Sequence, residues 1–284
     1  MIAPDSDTVG VMKANGARIR KRLPPGVSGL PRRPAQPWFD ELYARYNRKD
    51  YLGTDPIQFL FRYPNVLDRE LAALIASSFA LGRVAHILAS VEKVLAPMQP
   101  GPRSFLDGAD ARLLRSTYAG FKHRFFDSEC LVAFLCGAQK MLRLHGSLNS
   151  AFTKGLVPEE ATVLPALERF ASDLNIGCGS LIPSPARGSA CKRLNLFLRW
   201  MVRRDDVDPG GWTGVDASKL IVPLDTHMFR MARKMGFTRR KSADLRTALE
   251  ITAAFRRIRP DDPVRYDFAL TRLGIAPGAC SPRP

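Results

Sequence analysis

Acidic residues are scarce relative to basic ones in this chain of 284 residues: 27 Asp and Glu stand against 43 Lys and Arg, a formal net charge of +16 at pH 7. Long apolar runs are missing too. The longest charge-free apolar stretch, residues 71–82, is shorter than the roughly 18 residues a membrane-spanning helix needs, so no membrane partner is expected. Cysteines are few and scattered, at positions 130, 136, 178, 191 and 280. None forms a C-x-x-C pair and the count is odd, which suits reduced cytosolic thiols rather than a disulfide framework or a zinc site. No continuous apolar segment follows the N-terminus, so no secretory leader is expected, and the expected location is the cytoplasm. What the sequence does have is 45% apolar and 25% charged residues, an ordinary balance for a chain that buries a core, which excludes general disorder. The basic excess points to a polyanion, most simply nucleic acid, although an anionic surface or plain solubility gives the same sum.

Residues 1–36 differ from the rest. Seven Lys and Arg face Asp5 and Asp7 there, with prolines at 24, 25, 31 and 34, and a disordered basic tail is the expectation. A tail that adds nonspecific nucleic-acid affinity is the alternative. Residues 37–284 form the expected helical domain. Pro37 opens a helix with acids following. Leu71, Leu74, Ile75, Ser78 and Phe79 make a stripe at helical spacing, Gly82 interrupts it, and Ile87, Leu88, Val91, Val94 and Leu95 continue in a second helix. Asp127 is placed to cap a helix that ends at Gly146. Further helical patterns cover 163–174, 190–202, 226–235, 243–258 and 264–273. Alternating strands are absent, so the fold class is all-α. Two stretches break the rhythm: a Gly/Pro/Ser-rich hairpin at 177–189, and residues 205–223, a loop long enough to suggest function.

Residues 222–236 carry the densest chemical pattern. Pro223 blocks helix upstream, Asp225 stands where an N-cap belongs, and Leu224, Met228, Met231 and Met235 form an apolar stripe that Gly236 ends. Asp225 either caps backbone N–H groups, or faces a cleft and stabilises positive charge or activates water; the two roles are compatible. Other features are weaker. Asp205, Asp206 and Asp208 read as solvated loop acids, with metal binding the alternative. His86, His123 and His145 lack metal-ligand spacing, and His227 reads as a packing or hydrogen-bonding residue. Trp200 and Trp212 read as core or loop anchors, with base stacking by Trp212 the alternative. The basic runs at 239–241 and 256–257 read as solvated faces.

Spelled out, Leu224-Asp225-Thr226-His227-Met228-Phe229-Arg230 resembles the D-T-H segment of the helix–hairpin–helix DNA glycosylases, the endonuclease III and 8-oxoguanine glycosylase group. Upstream, Ser189-Ala190-Cys191-Lys192-Arg193-Leu194-Asn195 is similar to the helix that follows that superfamily's Gly/Pro-rich hairpin, and Phe121-Lys122-His123-Arg124-Phe125 looks like its aromatic-basic turn. The resemblance implies a two-lobed helical fold with a cleft between lobes, one lobe at about 66–222 and the other combining 37–65 with 237–284. It implies Asp225 as the essential carboxylate and Lys192 as the amine nucleophile of an optional lyase step. Arg187, Gly188, Ser189, Arg193 and Arg199 would hold phosphate, and His227 and Arg230 would join them at the nucleic acid.

The expected partner is duplex DNA with a damaged or modified base, RNA being the alternative. No metal and no cofactor are expected: only Cys280 stands where endonuclease III places four cluster-binding cysteines. The hairpin departs from the superfamily's L-P-G-x-G pattern, and the 33 residues from Lys192 to Asp225 exceed its usual gap. Over most of residues 38–276 the chain also resembles a widespread bacterial family of unknown function, marked by Asp55-Pro56-Ile57-Gln58-Phe59, the 189–195 run, Pro223-Leu224-Asp225-Thr226-His227 and Tyr266-Asp267-Phe268-Ala269-Leu270. The rival expectations are a non-catalytic nucleic-acid binding protein that keeps the glycosylase-like scaffold, and a helical protein-interaction scaffold.

Overall fold

A computed structural model describes residues 30–175, 177 and 179–274. Helix α1 spans Gln36–Tyr46, with a proline in its first turn. Two 3-10 segments follow, Lys49–Thr54 and Pro56–Arg62. Then come α2 (Val66–Ser78), α3 (Val84–Leu95), α4 (Pro102–Gly108) and α5 (Ala111–Thr117). A two-stranded antiparallel hairpin, β1 (Lys122–His123) with β2 (Phe126–Asp127), leads into α6 (Ser128–His145). The chain continues through α7 (Leu148–Thr153), α8 (Leu164–Leu174), α9 (Lys192–Val202), α10 (Thr226–Lys234), α11 (Leu245–Ile258) and α12 (Asp267–Gly274). The fold is all-α apart from that hairpin. Among the described residues no helix is long and apolar enough to cross a membrane.

Local chemistry sets most of these boundaries. Asp127, Asp225 and Asp244 each accept a hydrogen bond from the backbone N–H three residues on, at 2.8–2.9 Å, and so satisfy donors that the first turn leaves unpaired. Gly146 closes α6 at φ 79°, a conformation that costs glycine little. The break at Gly82 (φ 107°) turns the chain between α2 and α3. A side chain there would run into the Arg124 guanidinium.

The buried apolar side chains form one connected core from Phe39 to Leu273. The 3-10 segment Pro56–Arg62 and α9 both pack along α2, which is buried along most of its length, while α1 and α10 pack on α12. The first and last described helices thus pack together. Phe39 stacks on Tyr266 at 5.1 Å and meets Phe255 edge-on at 5.6 Å.

The last part of the expected basic tail, residues 30–36, is described by the structure. Residues 1–29 lie outside the described residues, but 30–36 are packed: Pro34 is buried and Leu30 rests against the core. The Arg33 N–H donates to the Met235 carbonyl at 2.9 Å. Pro31 and Pro34, two of the prolines that read as a tail signal, lie in the bent segment that leads into α1.

Close packing of α6 on the end of α8 supplies a stability test. A Cβ on Gly137 would come within 2.3 Å of the Leu174 carbonyl oxygen. Gly137→Ala is expected to destabilise the fold by about 1–3 kcal/mol in denaturant melts, despite the better helix propensity of alanine. An unchanged midpoint would show that α6 and α8 are not held this close.

Candidate functional site

The segment before α9 is built tightly. A 3-10 turn at Pro185–Arg187 leads to Gly188 at φ 74°, whose carbonyl accepts from Leu245 N at 2.9 Å, tying the segment to the start of α11. Cys191 then adopts φ 47°, ψ 38° as the N-cap of α9, with no side-chain cap bond. Left-handed backbone in a residue other than glycine costs on the order of 1 kcal/mol and persists only where surroundings enforce it. Here the Cys191 N–H donates to Ser189 Oγ at 3.2 Å, and Asn195 Nδ2 donates to the Ala190 carbonyl at 3.0 Å. Burial pushes the Cys191 thiol up to about 11, so it is no nucleophile at neutral pH.

This turn aims the first residues of α9 at the end of α2. Lys192 Nζ donates to the Ala80 carbonyl at 3.3 Å. Arg193 donates from Nη1 to the Ser78 carbonyl at 3.1 Å and from Nη2 to the Ser180 carbonyl at 2.7 Å. Cations there satisfy carbonyls that the last turn of α2 leaves unpaired. Lys192 is half-buried.

Asp225 caps α10 with Oδ1 on Met228 N at 2.8 Å. Its other oxygen meets no donor among the described residues. The apolar stripe Met228, Met231 and Met235 is buried below. His227 is half-buried and exposed Arg230 donates to its Nδ1 at 3.1 Å.

A cavity of about 770 Å³ lies over these two helix starts, and Lys192, Asp225 and His227 all line it. So do Ser189 and Arg193, while Arg187, Gly188 and Arg230 do not. Its walls also include Asp55, Gly82, Trp200, Asp267, Phe268 and Arg272, contributed by segments as far as 217 positions apart in the chain. Each of the four segments that mark the bacterial family, 55–59, 189–195, 223–227 and 266–270, sends residues to this wall. Arg272 donates from Nη2 to Asp55 Oδ2 at 2.6 Å and from Nη1 to Thr54 Oγ1 at 3.2 Å. Phe268 packs beneath the Arg272 guanidinium at 4.3 Å from the ring centre.

Arg199 also lines the cavity. It is 2% exposed and pairs with Asp208 and Asp267, so its charge is already neutralised in a dry setting. Two backbone amides of the turn before α9 are committed to local bonds: Arg187 N donates to the Ser184 carbonyl and Gly188 N to the Pro185 carbonyl. The exposed Arg187 side chain remains at the surface.

Two acids of the 205–223 loop, Asp205 and Asp208, are withdrawn from solvent, while Asp206 is exposed as expected and so is Asp216. Asp208 is fully buried between Arg199 and Arg203, while Arg203 also binds Asp205 at 2.9 Å and Asp262 at 2.9 Å. Burial alone would raise Asp205, but Arg203, two backbone N–H groups and the Tyr43 hydroxyl hold it down at about 2. Asp208 is pushed up by burial, against the pull of both arginines. No group of three or more His, Cys, Asp or Glu among the described residues is placed to hold a metal ion. Trp212 anchors the loop instead of presenting a face for stacking: it is 6% exposed, packs on Phe197 and Phe152, and donates from Nε1 to Glu70 at 2.8 Å.

Asp55, Asp267 and Arg272 are wall residues to which sequence reasoning gave no role. The first two lie inside quoted motifs, and an acid embedded in a family-marking segment was the available signal. Asp267 is 5% exposed; burial pushes its carboxyl up to about 6, with Arg199 opposing and the Asp225 charge adding to the rise.

Breaking the Arg199–Asp208–Arg203 cluster leaves buried charge uncompensated. Asp208→Ala is expected to cost about 3–5 kcal/mol of stability by denaturant melts. A loss comparable to that of a surface ion pair, about 1 kcal/mol or less, would contradict the buried cluster.

Residues 55–276 match the family described as a protein of unknown function (DUF2400). No curated protein and no solved structure matches the chain. The matched span begins at the cavity residue Asp55, ends just beyond α12, and takes in every cavity residue named above except Thr54. The chain therefore belongs to this family of unknown function.

Proposed function

We propose that the cavity receives a nucleotide turned out of a DNA duplex and that the protein is a DNA glycosylase-like enzyme cleaving the N-glycosidic bond of a modified base. One observation carries this reading: Lys192 and Asp225, in the order of the superfamily's nucleophile and carboxylate, line the same cavity. Its volume of about 770 Å³ falls within the range of small-ligand sites, about 300–1,000 Å³. Apolar walls from Leu81, Leu196, Trp200 and Phe268 suit a flat ring.

Cleavage of the C1′–N bond leaves its electron pair on the base and develops positive charge on the sugar. The uncapped oxygen of Asp225 is the group to stabilise that charge and to take a proton from an attacking water. For the lyase step, the unprotonated Lys192 amine adds to C1′ in place of water, giving a Schiff base after loss of the sugar-ring C–O bond. Arg193 and the basic surface would contribute affinity rather than base choice.

A second reading draws on the same distances. Lys192 already caps α2 through Ala80, and Asp225 already caps α10, so both residues have structural work. A non-catalytic nucleic-acid binding protein on this scaffold would keep them for that reason.

Borohydride trapping on duplexes carrying assorted base lesions separates the readings. The enzyme reading expects a covalent adduct with the wild-type chain that disappears in Lys192→Ala, and loss of base release by at least about 100-fold in Asp225→Asn. Asparagine is as good an N-cap as aspartate, so Asp225→Asn should stay folded. Base release without an adduct would limit the chemistry to water attack. Neither base release nor adduct, with salt-dependent DNA binding intact in Asp225→Asn, would leave the binding-protein reading.

A further inference from the structure

A shortage of positive charge beneath the cavity bears on the chemistry above it. In the buried cluster two guanidiniums, Arg199 and Arg203, face four carboxylates, Asp205, Asp208, Asp262 and Asp267, and a third, Arg265, acts on Asp262 from the edge. Dry surroundings disfavour that surplus of negative charge, and carrying a proton on one carboxyl relieves it. Asp205 is held ionised by its donors, and Asp208 is clasped by both arginines. Asp262 takes both its oxygens to Arg203 Nε. Asp267 is the member that also lines the cavity. Its Oδ2 is bound to Arg199, and no described residue donates to its Oδ1.

We propose that Asp267 is the proton donor of the cavity, acting opposite the carboxylate of Asp225. The inference rests on the glycosylase reading for its reaction but not for its geometry. As the C1′–N bond breaks, its electron pair goes to the base nitrogen, which takes the carboxyl proton of Asp267. Water adds to C1′ and gives its proton to Asp225, so the two aspartates exchange protonation states and solvent resets them. A proton donor and a proton acceptor lining one pocket form the arrangement that acid–base chemistry requires.

The groups around Asp267 favour this assignment. From α9 comes Arg199, which holds one oxygen; from the loop after α9 comes Asp208, a like charge. From the start of α10 comes Asp225, a second like charge, with His227 beside it. The 3-10 segment at Pro56 brings Asp55, already paired with Arg272 of α12, and α9 also brings Lys192 across the cavity. On the far side, α1 directs Asp40 to the Tyr266 hydroxyl at 2.8 Å, away from the cavity.

The test is a titration of the full chain followed by the 13Cγ signal of each aspartate, assigned by backbone connectivity, from about pH 4 to about pH 8. Asp267 should titrate near pH 6, and its midpoint should move down in Asp225→Asn, because that variant removes a like charge. A carboxyl at 267 that stays ionised throughout this range overturns the proposal, as does a midpoint that ignores Asp225→Asn. The result is separable from the reaction itself. If no lesion duplex releases a base while Asp267 titrates as stated, the glycosylase reading falls and the proton-holding site stands. If bases are released while Asp267 remains ionised, the reverse holds.

Discussion

Two arginines at the end of α9, Arg199 in its last turn and Arg203 just after it, are buried among aspartates from three other parts of the chain, and the cavity wall depends on that arrangement. Asp205 and Asp208 come from the loop after α9, Asp262 from the turn after α11, and Asp267 from the first turn of α12. Buried ion pairs add little net stability, because desolvation offsets their attraction. They are demanding about geometry, since any guanidinium that loses its carboxylates is left charged in a dry interior. Through Tyr43, which donates to Asp205 at 2.8 Å, the cluster also fixes α1. Helices remote in sequence are thereby locked into one arrangement, and the cavity is what that arrangement encloses on one side.

The cavity is polar in an uneven way. Lys192 and Arg193 enter from α9 with their donors directed at carbonyls around the end of α2. Asp225 and Asp267 enter from helix starts, one half-buried with an unengaged oxygen and one nearly sealed against Arg199. Left-handed backbone at Cys191 and the glycine break at Gly82 sit on the same wall. Strain of this kind is tolerated where surrounding contacts over-determine the chain, and such positions gather at ligand sites. None of these features taken singly marks a site; their meeting around one half-open cavity is what supports the proposed one.

Much of the helical fold is legible in the sequence because its signals are local. The patterns at 163–174, 226–235 and 243–258 match α8, α10 and α11 to within about two residues, since stripe and cap lie in the same short window. The short helices α4, α5 and α7 and the two-residue strands offer too few periods to be read this way. Asp225 and Lys192 stand out because a motif surrounds each. The loop acids mislead for the opposite reason: Asp205 and Asp208 look solvated until Arg203 is seen to reach Asp262 as well, 59 positions away. Residues 30–36 mislead in the same manner, since their partner Met235 is two hundred positions off.

The central claim is that one cavity, assembled from four distant family-marking segments, is where this protein meets nucleic acid. Hydroxyl-radical footprinting of the full chain, with and without a duplex carrying a stable abasic-site analogue, tests it most directly. The account predicts salt-dependent protection centred on the side chains of Leu196, Leu224, His227 and Phe268, with the far face of α6 and α8 unchanged. Protection confined to surfaces remote from the cavity, or none at low salt, would contradict it.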